Sequence, residues 1–113
     1  MRTPNHSITL PEAVAAYWTA ANAGASEAAA SCFATAALVH DEGQDRRGTD
    51  AIRAWIEETT RKYHPLVEPL RAEEKDGRVF VTARVSGDFP GGPVELDYAF
   101  TLEGHKITLL EIS

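Results

Sequence analysis

The stretch ALVHDEGQDRRGTDAIRAWI, residues 37–56, contains the change of pattern that decides the fold. Its apolar beginning ends at His40 and Asp41, which is typical of a short strand followed by a turn. A polar loop bracketed by glycines comes next, and a helix with Trp55 on its apolar side begins after it. Asp41 therefore either faces a pocket as a catalytic acid or base, or only ends the strand.

Two helical patterns precede this stretch. Between Pro11 and Asn22, apolar residues recur at helical spacing, so we expect Tyr17 and Trp18 to be buried. A second helix is expected to begin at Ser26, a residue type that is favoured at helix N-termini. Its apolar face would consist of Ala29, Cys32 and Phe33.

The third helix has the clearest pattern in the chain. Its apolar stripe follows the spacing i, i+3, i+4, i+7 and i+11, and charged residues lie outside the stripe. The stripe consists of Ile52, Trp55, Ile56, Thr59 and Tyr63. We therefore expect this helix to pack on the core along its whole length.

After Pro65 the hydrophobic period changes to two, which is typical of strands. Four strands are predicted, at residues 66–74, 79–86, 94–102 and 106–112. In the third of them Tyr98 and Phe100 share the apolar face. The predicted order of elements is therefore α-α-β-α-β-β-β-β, an α+β fold with three helices on a curved, mostly antiparallel sheet.

The last predicted strand has apolar residues on both faces. Strict alternation places Ile107 and Leu109 on one face, and Leu110 and Ile112 on the other. Helices can cover one face, so a second subunit is a natural cover for the other. We therefore expect a homodimer formed through the sheet.

Composition excludes several classes of partner. The chain has 113 residues and a formal net charge of −6, with 11 basic residues dispersed among 17 acidic ones. Nucleic-acid binding needs clustered basic residues, so we expect no nucleic-acid partner. The same charge disfavours anionic membranes, and no apolar run is long enough to span a bilayer.

Cys32 is the only cysteine, which excludes an intrachain disulfide and favours a buried structural thiol. None of the four histidines has the spacing of a metal-binding motif, so we expect no metal site. The beginning of the chain lacks a signal-peptide pattern, which predicts a cytoplasmic protein. We expect residues 1–10 to be a flexible segment and residues 11–113 to form one domain.

The segments VHDEG, RGTDAIRAWI and VSGDFPGGPVELDYAFTLEGHKITLLEI together resemble the nuclear-transport-factor-2-like superfamily, and in particular its SnoaL-like proteins. The resemblance covers roughly residues 11–113 and implies a cone-shaped α+β barrel. This fold carries isomerases, cyclases, dehydratases, epoxide hydrolases and non-catalytic partners. The steroid isomerases of this superfamily need no cofactor, so the resemblance implies that none is needed here.

The steroid isomerases of this superfamily carry a Tyr in helix one, an Asp after the first strand and an acid on a later strand. Tyr17 and Asp41 match the first two positions. Tyr98 stands at the third, where the family has an acid. The resemblance thus implies that Asp41 is the catalytic acid or base and that Tyr17 is a catalytic hydrogen-bond donor.

The expected ligand is a small hydrophobic molecule. The residues expected to contact it are Trp18, His40, Trp55, Tyr98 and Phe100. His40 and Asp41 are adjacent on a strand, so a regular strand can aim only one of them into the pocket. The hydrophobic pattern does not show which of the two faces the pocket. Leu38 shares a face with His40 and Val39 shares a face with Asp41, and both Leu38 and Val39 are apolar.

Two functions from different classes remain open. The first is a cofactor-independent acid–base enzyme that acts on a small carbonyl or epoxide compound. The second is a non-catalytic module that binds a small molecule or forms a dimer. The second is favoured by the small number of polar residues at credible site positions.

Overall fold

Three helices and six strands form the fold in the computed structural model, which describes residues 10–113. The helices are α1 (Glu12–Asn22), α2 (Ser26–Ala30) and α3 (Thr49–Tyr63). The strands are β1 (Phe33–Asp41), β2 (Gln44–Arg47), β3 (Leu66–Lys75), β4 (Arg78–Ser86), β5 (Val94–Glu103) and β6 (Lys106–Ile112). The expectation of a flexible segment at residues 1–10 falls almost entirely outside the described residues.

All six strands join one sheet in the order β2-β1-β6-β5-β4-β3. Strands β1 and β6 are parallel, and every other neighbouring pair is antiparallel. The predicted α+β fold, with three helices on a mostly antiparallel sheet, is confirmed. One further strand, β2, lies inside the stretch that was predicted to be a loop.

Strand β2 forms because the chain reverses tightly after β1. Glu42 and Gly43 both have positive φ, 54° and 74°, as the two central residues of a hairpin turn require. Strand β2 then pairs antiparallel with β1, with Asp45 opposite His40. A Glu-Gly pair is a weaker hairpin signal than Asn-Gly or Asp-Gly, which is why the sequence pattern does not reveal this strand.

The second helix is shorter than expected, and β1 is longer. Helix α2 ends at Ala30, and Phe33, expected on the helix, is the first residue of β1. Phe33 pairs with Ile107 of β6, whose N–H donates a 3.0 Å hydrogen bond to the carbonyl oxygen of Cys32. Pairing with a distant strand thus overrides the helix propensity of this alanine-rich segment.

The expected alternation in β6 is wrong, because the strand contains a bulge. Leu109 pairs with Thr101 while Ile107 pairs with Leu102, so Thr108 is an extra residue between them. A bulge of this kind shifts the facing of the residues that follow it. Ile107 and Leu110 are consequently both fully buried, and Leu109 lies on the other face with Leu38.

The three helices pack against one face of the sheet, which we call the inner face. Strand β4 turns its small apolar side chains to this face: Val79, Val81, Ala83 and Val85. The stripe predicted for α3 is confirmed for Ile52, Trp55 and Ile56, which are buried, whereas Thr59 and Tyr63 are only half-buried. No helix within residues 10–113 is long and apolar enough to cross a membrane.

Candidate functional site

A cavity of about 540 Å³ lies between α1, α3 and the inner face of the sheet. Helix α1 contributes Tyr17 and Trp18 to its wall, and α3 contributes Trp55. These side chains point inward because each belongs to the apolar stripe of its helix. The remaining wall is mostly aliphatic and aromatic, so the cavity suits a small, largely apolar molecule.

Asp41 reaches this cavity from the last position of β1. It shares the inner face with Val39, which is fully buried. The indole Nε1–H of Trp55 donates a hydrogen bond to Asp41 Oδ2 over 3.1 Å. Only one carboxylate oxygen is needed for this bond, so the other can accept a proton from a ligand.

Two tyrosines, Tyr17 and Tyr98, line the cavity together with Asp41. Each side chain is only 5% exposed. Burial, the neighbouring Tyr98 and the negative charge of Asp41 raise the pKa of Tyr17 well above its ordinary value. Burial and Asp41 likewise raise the pKa of Tyr98. Both hydroxyls therefore stay protonated near neutral pH and can donate to an oxygen atom in the cavity.

His40 does not line this cavity. Its side chain lies on the outer face of the sheet, where Nδ1 is 2.6 Å from Asp45 Oδ1, and it is exposed. Because neighbouring residues of β1 point to opposite faces of the sheet, Asp41 points into the cavity and His40 points away from it. The geometry therefore does not support His40 as a contact for a ligand in this cavity.

The other residues expected to contact a ligand divide into two groups. Trp18 and Trp55 belong to the cavity wall, as expected. Phe100 is fully buried and lies behind the wall, with its ring centroid 5.3 Å from that of Trp18. Phe100 therefore supports Trp18 from the core and does not contact the cavity.

Some cavity residues were not singled out by the sequence pattern. Glu42 and Phe89 both line the cavity, although both come from segments that the pattern marks only as turns. Among residues 10–113, Asp41 and Glu42 are the charged side chains of the wall, and no basic side chain lines it. Among the described residues, no group of three His, Cys, Asp or Glu side chains is placed to hold a metal ion.

The chain matches a known domain family over most of its length. A family model described as a SnoaL-like domain matches residues 14–109. A comparison with curated proteins finds no sequence match.

Solved structures share the fold. A predicted polyketide cyclase from Sinorhizobium meliloti is 36% identical, with a TM-score of 0.89 over 92% of this chain and 95% of that chain. A protein of ketosteroid isomerase-like fold from Catenulispora acidiphila, solved with trimethylamine, is 22% identical, with a TM-score of 0.83 over 93% and 86%. The epoxide hydrolase/cyclase-like enzyme SalBIII, which has a role in pyran ring formation in salinomycin, is 21% identical, with a TM-score of 0.78 over 89% and 86%.

Proposed function

The chain belongs to the SnoaL-like domain family, and we propose that it is a cofactor-independent acid–base enzyme. Its substrate would be a small, uncharged and largely apolar carbonyl or epoxide compound. The proposal depends on one observation above all. The Asp41 carboxylate is held by Trp55 Nε1 at 3.1 Å, in the same apolar cavity as two protonated tyrosines.

The arrangement contains the groups that proton transfer next to a carbonyl requires. The Asp41 carboxylate would take a proton from the carbon beside the carbonyl, and the electron pair of the broken C–H bond would move onto the carbonyl oxygen. Tyr17 and Tyr98 would stabilise that oxygen by hydrogen bonding. The protonated Asp41 would then return the proton to another carbon, which completes an isomerisation, or to a leaving oxygen, which completes a dehydration. In a cyclisation the enolate carbon would form a bond to a second carbonyl carbon of the same substrate, and Asp41 would protonate the alkoxide that results.

The related structures support chemistry of this kind. The Sinorhizobium protein, at 36% identity, is described as a predicted polyketide cyclase, and SalBIII as an epoxide hydrolase/cyclase-like enzyme. Polyketide and epoxide substrates both present an oxygen atom that gains negative charge during reaction. Hydrogen-bond donors such as Tyr17 and Tyr98 suit that need.

The test is hydrogen–deuterium exchange beside the carbonyl of apolar ketones such as 2-tetralone, followed by proton NMR in D₂O. The protein is expected to accelerate this exchange, and Asp41→Asn should reduce the acceleration by about 10²–10⁴-fold. The matched control is Asp97→Asn, because Asp97 lies on the outer face and accepts a hydrogen bond from Thr82 Oγ1 at 2.9 Å. Equal exchange with the wild type and Asp41→Asn would contradict the proposal and favour a binding module.

We further propose that the protein forms a homodimer through the outer face of its sheet. A broad hollow on this face carries charges of both signs, including Arg71, Asp97 and Glu111. Phe80 also lines this hollow and is 38% exposed, with the Arg78 guanidinium 5.0 Å from its ring centroid. A surface of mixed charge with an apolar residue can complement itself across a two-fold axis.

A further inference from the structure

The cavity has two chemically different ends. Its polar end holds Asp41, Tyr17 and Tyr98 beside Trp55. Helix α3 leads away from that end, and Tyr63, which also lines the cavity, follows Trp55 by eight residues. At 1.5 Å per residue, this places Tyr63 about 12 Å farther along the cavity.

Strand β5 gives an independent measure of the same separation. Tyr98 lies at the polar end, and Val94, which also lines the cavity, precedes it by four residues on the same strand. At about 3.4 Å per residue, the two lie about 14 Å apart. Both elements therefore point to a second end of the cavity, near the loop of residues 87–93.

The side chain at this second end is Phe89. Its ring meets the ring of Tyr63 edge to face, with centroids 5.9 Å apart and an interplanar angle of 86°. Both residues line the cavity. The far end is thus aromatic, in contrast to the hydrogen-bonding groups around Asp41.

The backbone fixes the position of Phe89. The N–H of Asp88 donates a 2.7 Å hydrogen bond to the carbonyl oxygen of Tyr63, which ties the loop to the end of α3. A Cβ atom added to Gly92 would lie 2.3 Å from Phe89 Cε1, so the ring lies directly against the backbone of Gly92. A side chain on Gly87 would likewise meet the Tyr63 carbonyl oxygen at 2.6 Å.

We propose that Phe89 closes the far end of the cavity and sets the maximum length of the apolar part of the ligand. The ligand class is an uncharged compound with an oxygen function at one end and an apolar body that extends toward Phe89. This deepens the proposed function and rests on it for the position of the oxygen atom at Asp41. The role of Phe89 itself follows from its place opposite the polar groups.

The test uses binding of straight-chain 2-alkanones, from 2-pentanone to 2-undecanone. Binding is followed by tryptophan fluorescence, since both tryptophans of the chain line the cavity. For the wild type, affinity should rise about fourfold with each added methylene until the chain reaches Phe89, and then stop rising. Phe89→Ala should move this limit to longer chains, and Phe89→Leu should move it less.

The control is Leu66→Ala, which removes an apolar side chain that is 58% exposed and does not line the cavity. It should leave the chain-length limit unchanged. An identical limit in the wild type, Phe89→Ala and Phe89→Leu would overturn the inference. Failure of the wild type to bind any alkanone would also overturn it.

The two proposals can fail separately. A limit that moves in the Phe89 variants supports the inference even if Asp41→Asn leaves exchange unchanged, which would contradict only the catalytic role. Loss of exchange in Asp41→Asn with an unmoved limit would contradict only the role of Phe89.

Discussion

The indole Nε1–H of Trp55 donates a 3.1 Å hydrogen bond to Asp41 Oδ2 and so joins helix α3 to the end of strand β1. Hydrogen bonds to charged groups are stronger than those between neutral groups. The bond therefore holds the carboxylate in one orientation at the cavity. If Asp41 is catalytic as proposed, Trp55 is expected to act as a positioning residue for it, in addition to its place in the wall.

Replacing Trp55 with Phe keeps an aromatic ring but removes the N–H donor. The carboxylate loses its fixed orientation, so we expect the rate constant for hydrogen–deuterium exchange of the ketone to fall about tenfold. This factor is at the lower end of the range expected for the loss of a hydrogen bond to a charged group. KM should change little, because the ring still fills the wall. Exchange kinetics measured by NMR over a range of ketone concentrations separate the two quantities.

The control for this variant is Trp18→Phe. Trp18 also lines the cavity, but its buried Nε1 has no hydrogen-bond partner among the described residues. Removing that N–H takes no bond from Asp41, and the rate constant should be unaffected. A similar loss of rate in both variants would show that Trp55 acts only by filling space.

Alkaline conditions should destabilise the protein because Tyr17 and Tyr98 have raised pKa values. In the unfolded chain a tyrosine loses its proton near pH 10, whereas these two keep theirs in the folded state. Above about pH 10 the unfolded state thus binds fewer protons, and the free energy of unfolding falls as pH rises. The expected slope is about 1.4 kcal/mol per pH unit for each tyrosine.

Urea denaturation between pH 9 and pH 12 measures this slope. The double variant Tyr17→Phe, Tyr98→Phe has no such protons to lose, and its stability should decline less steeply than that of the wild type. The absorbance of tyrosinate gives a second measurement. At pH 10.5 this absorbance should differ little between the folded wild type and the double variant, because Tyr17 and Tyr98 are expected to stay protonated in the wild type. Parallel stability curves would refute the assignment of these two groups.

The cavity should discriminate against anionic ligands. Within the described part of the chain, Asp41 and Glu42 are the charged side chains of its wall, and no basic side chain lines it. At about 5 Å and an effective dielectric constant of about 20, one carboxylate repels an anion by about 3 kcal/mol. We therefore expect octanoate to bind at least tenfold more weakly than 2-octanone at pH 7.

Asp41→Asn should narrow this difference, because it removes the nearer charge while keeping the shape of the side chain. Fluorescence titration of both proteins with both ligands gives the four dissociation constants that are needed. Asp97→Asn is again the control and should leave the ratio unchanged. An undiminished preference for the ketone in Asp41→Asn would indicate that another group rejects the anion.

Self-association should be visible by sedimentation velocity at micromolar concentration. The wild type is expected to sediment as a dimer, and Phe80→Glu as a monomer, because it places a charge on the proposed interface. Ala28→Glu adds the same charge at an exposed position of α2, on the helical side of the molecule, and should remain dimeric. A monomeric wild type would end the proposal of a dimer through the sheet.

The sequence predicts most of the fold because its strongest signals are local. The stripe of α3 and the alternation of β4 follow from the spacing of apolar residues, and both are observed. The position of Asp41 at the end of β1 was also predictable, since a turn follows it directly. Neighbouring residues decide each of these features.

The remaining features depend on contacts between distant parts of the chain. The side of β1 that faces the cavity is set by packing against the helices, and the bulge at Thr108 by pairing of β6 with β5. The hydrogen bond from Trp55 to Asp41 joins two separate elements. Phe89 reaches the cavity only because its loop folds back onto Tyr63. No periodic pattern in the sequence records such contacts.

The parallel pairing of β1 with β6 has a consequence for biosynthesis. Leu38 pairs with Leu109 and Val39 with Leu110, so the strand that carries Asp41 is held by the last of the described strands. Pairings between such distant segments form slowly, because a long loop must close first. On the ribosome, a nascent chain that has exposed Tyr17, Asp41 and Trp55 still lacks the strand that holds Asp41 in the sheet. We therefore expect ligand binding to appear only after β6 has emerged from the exit tunnel.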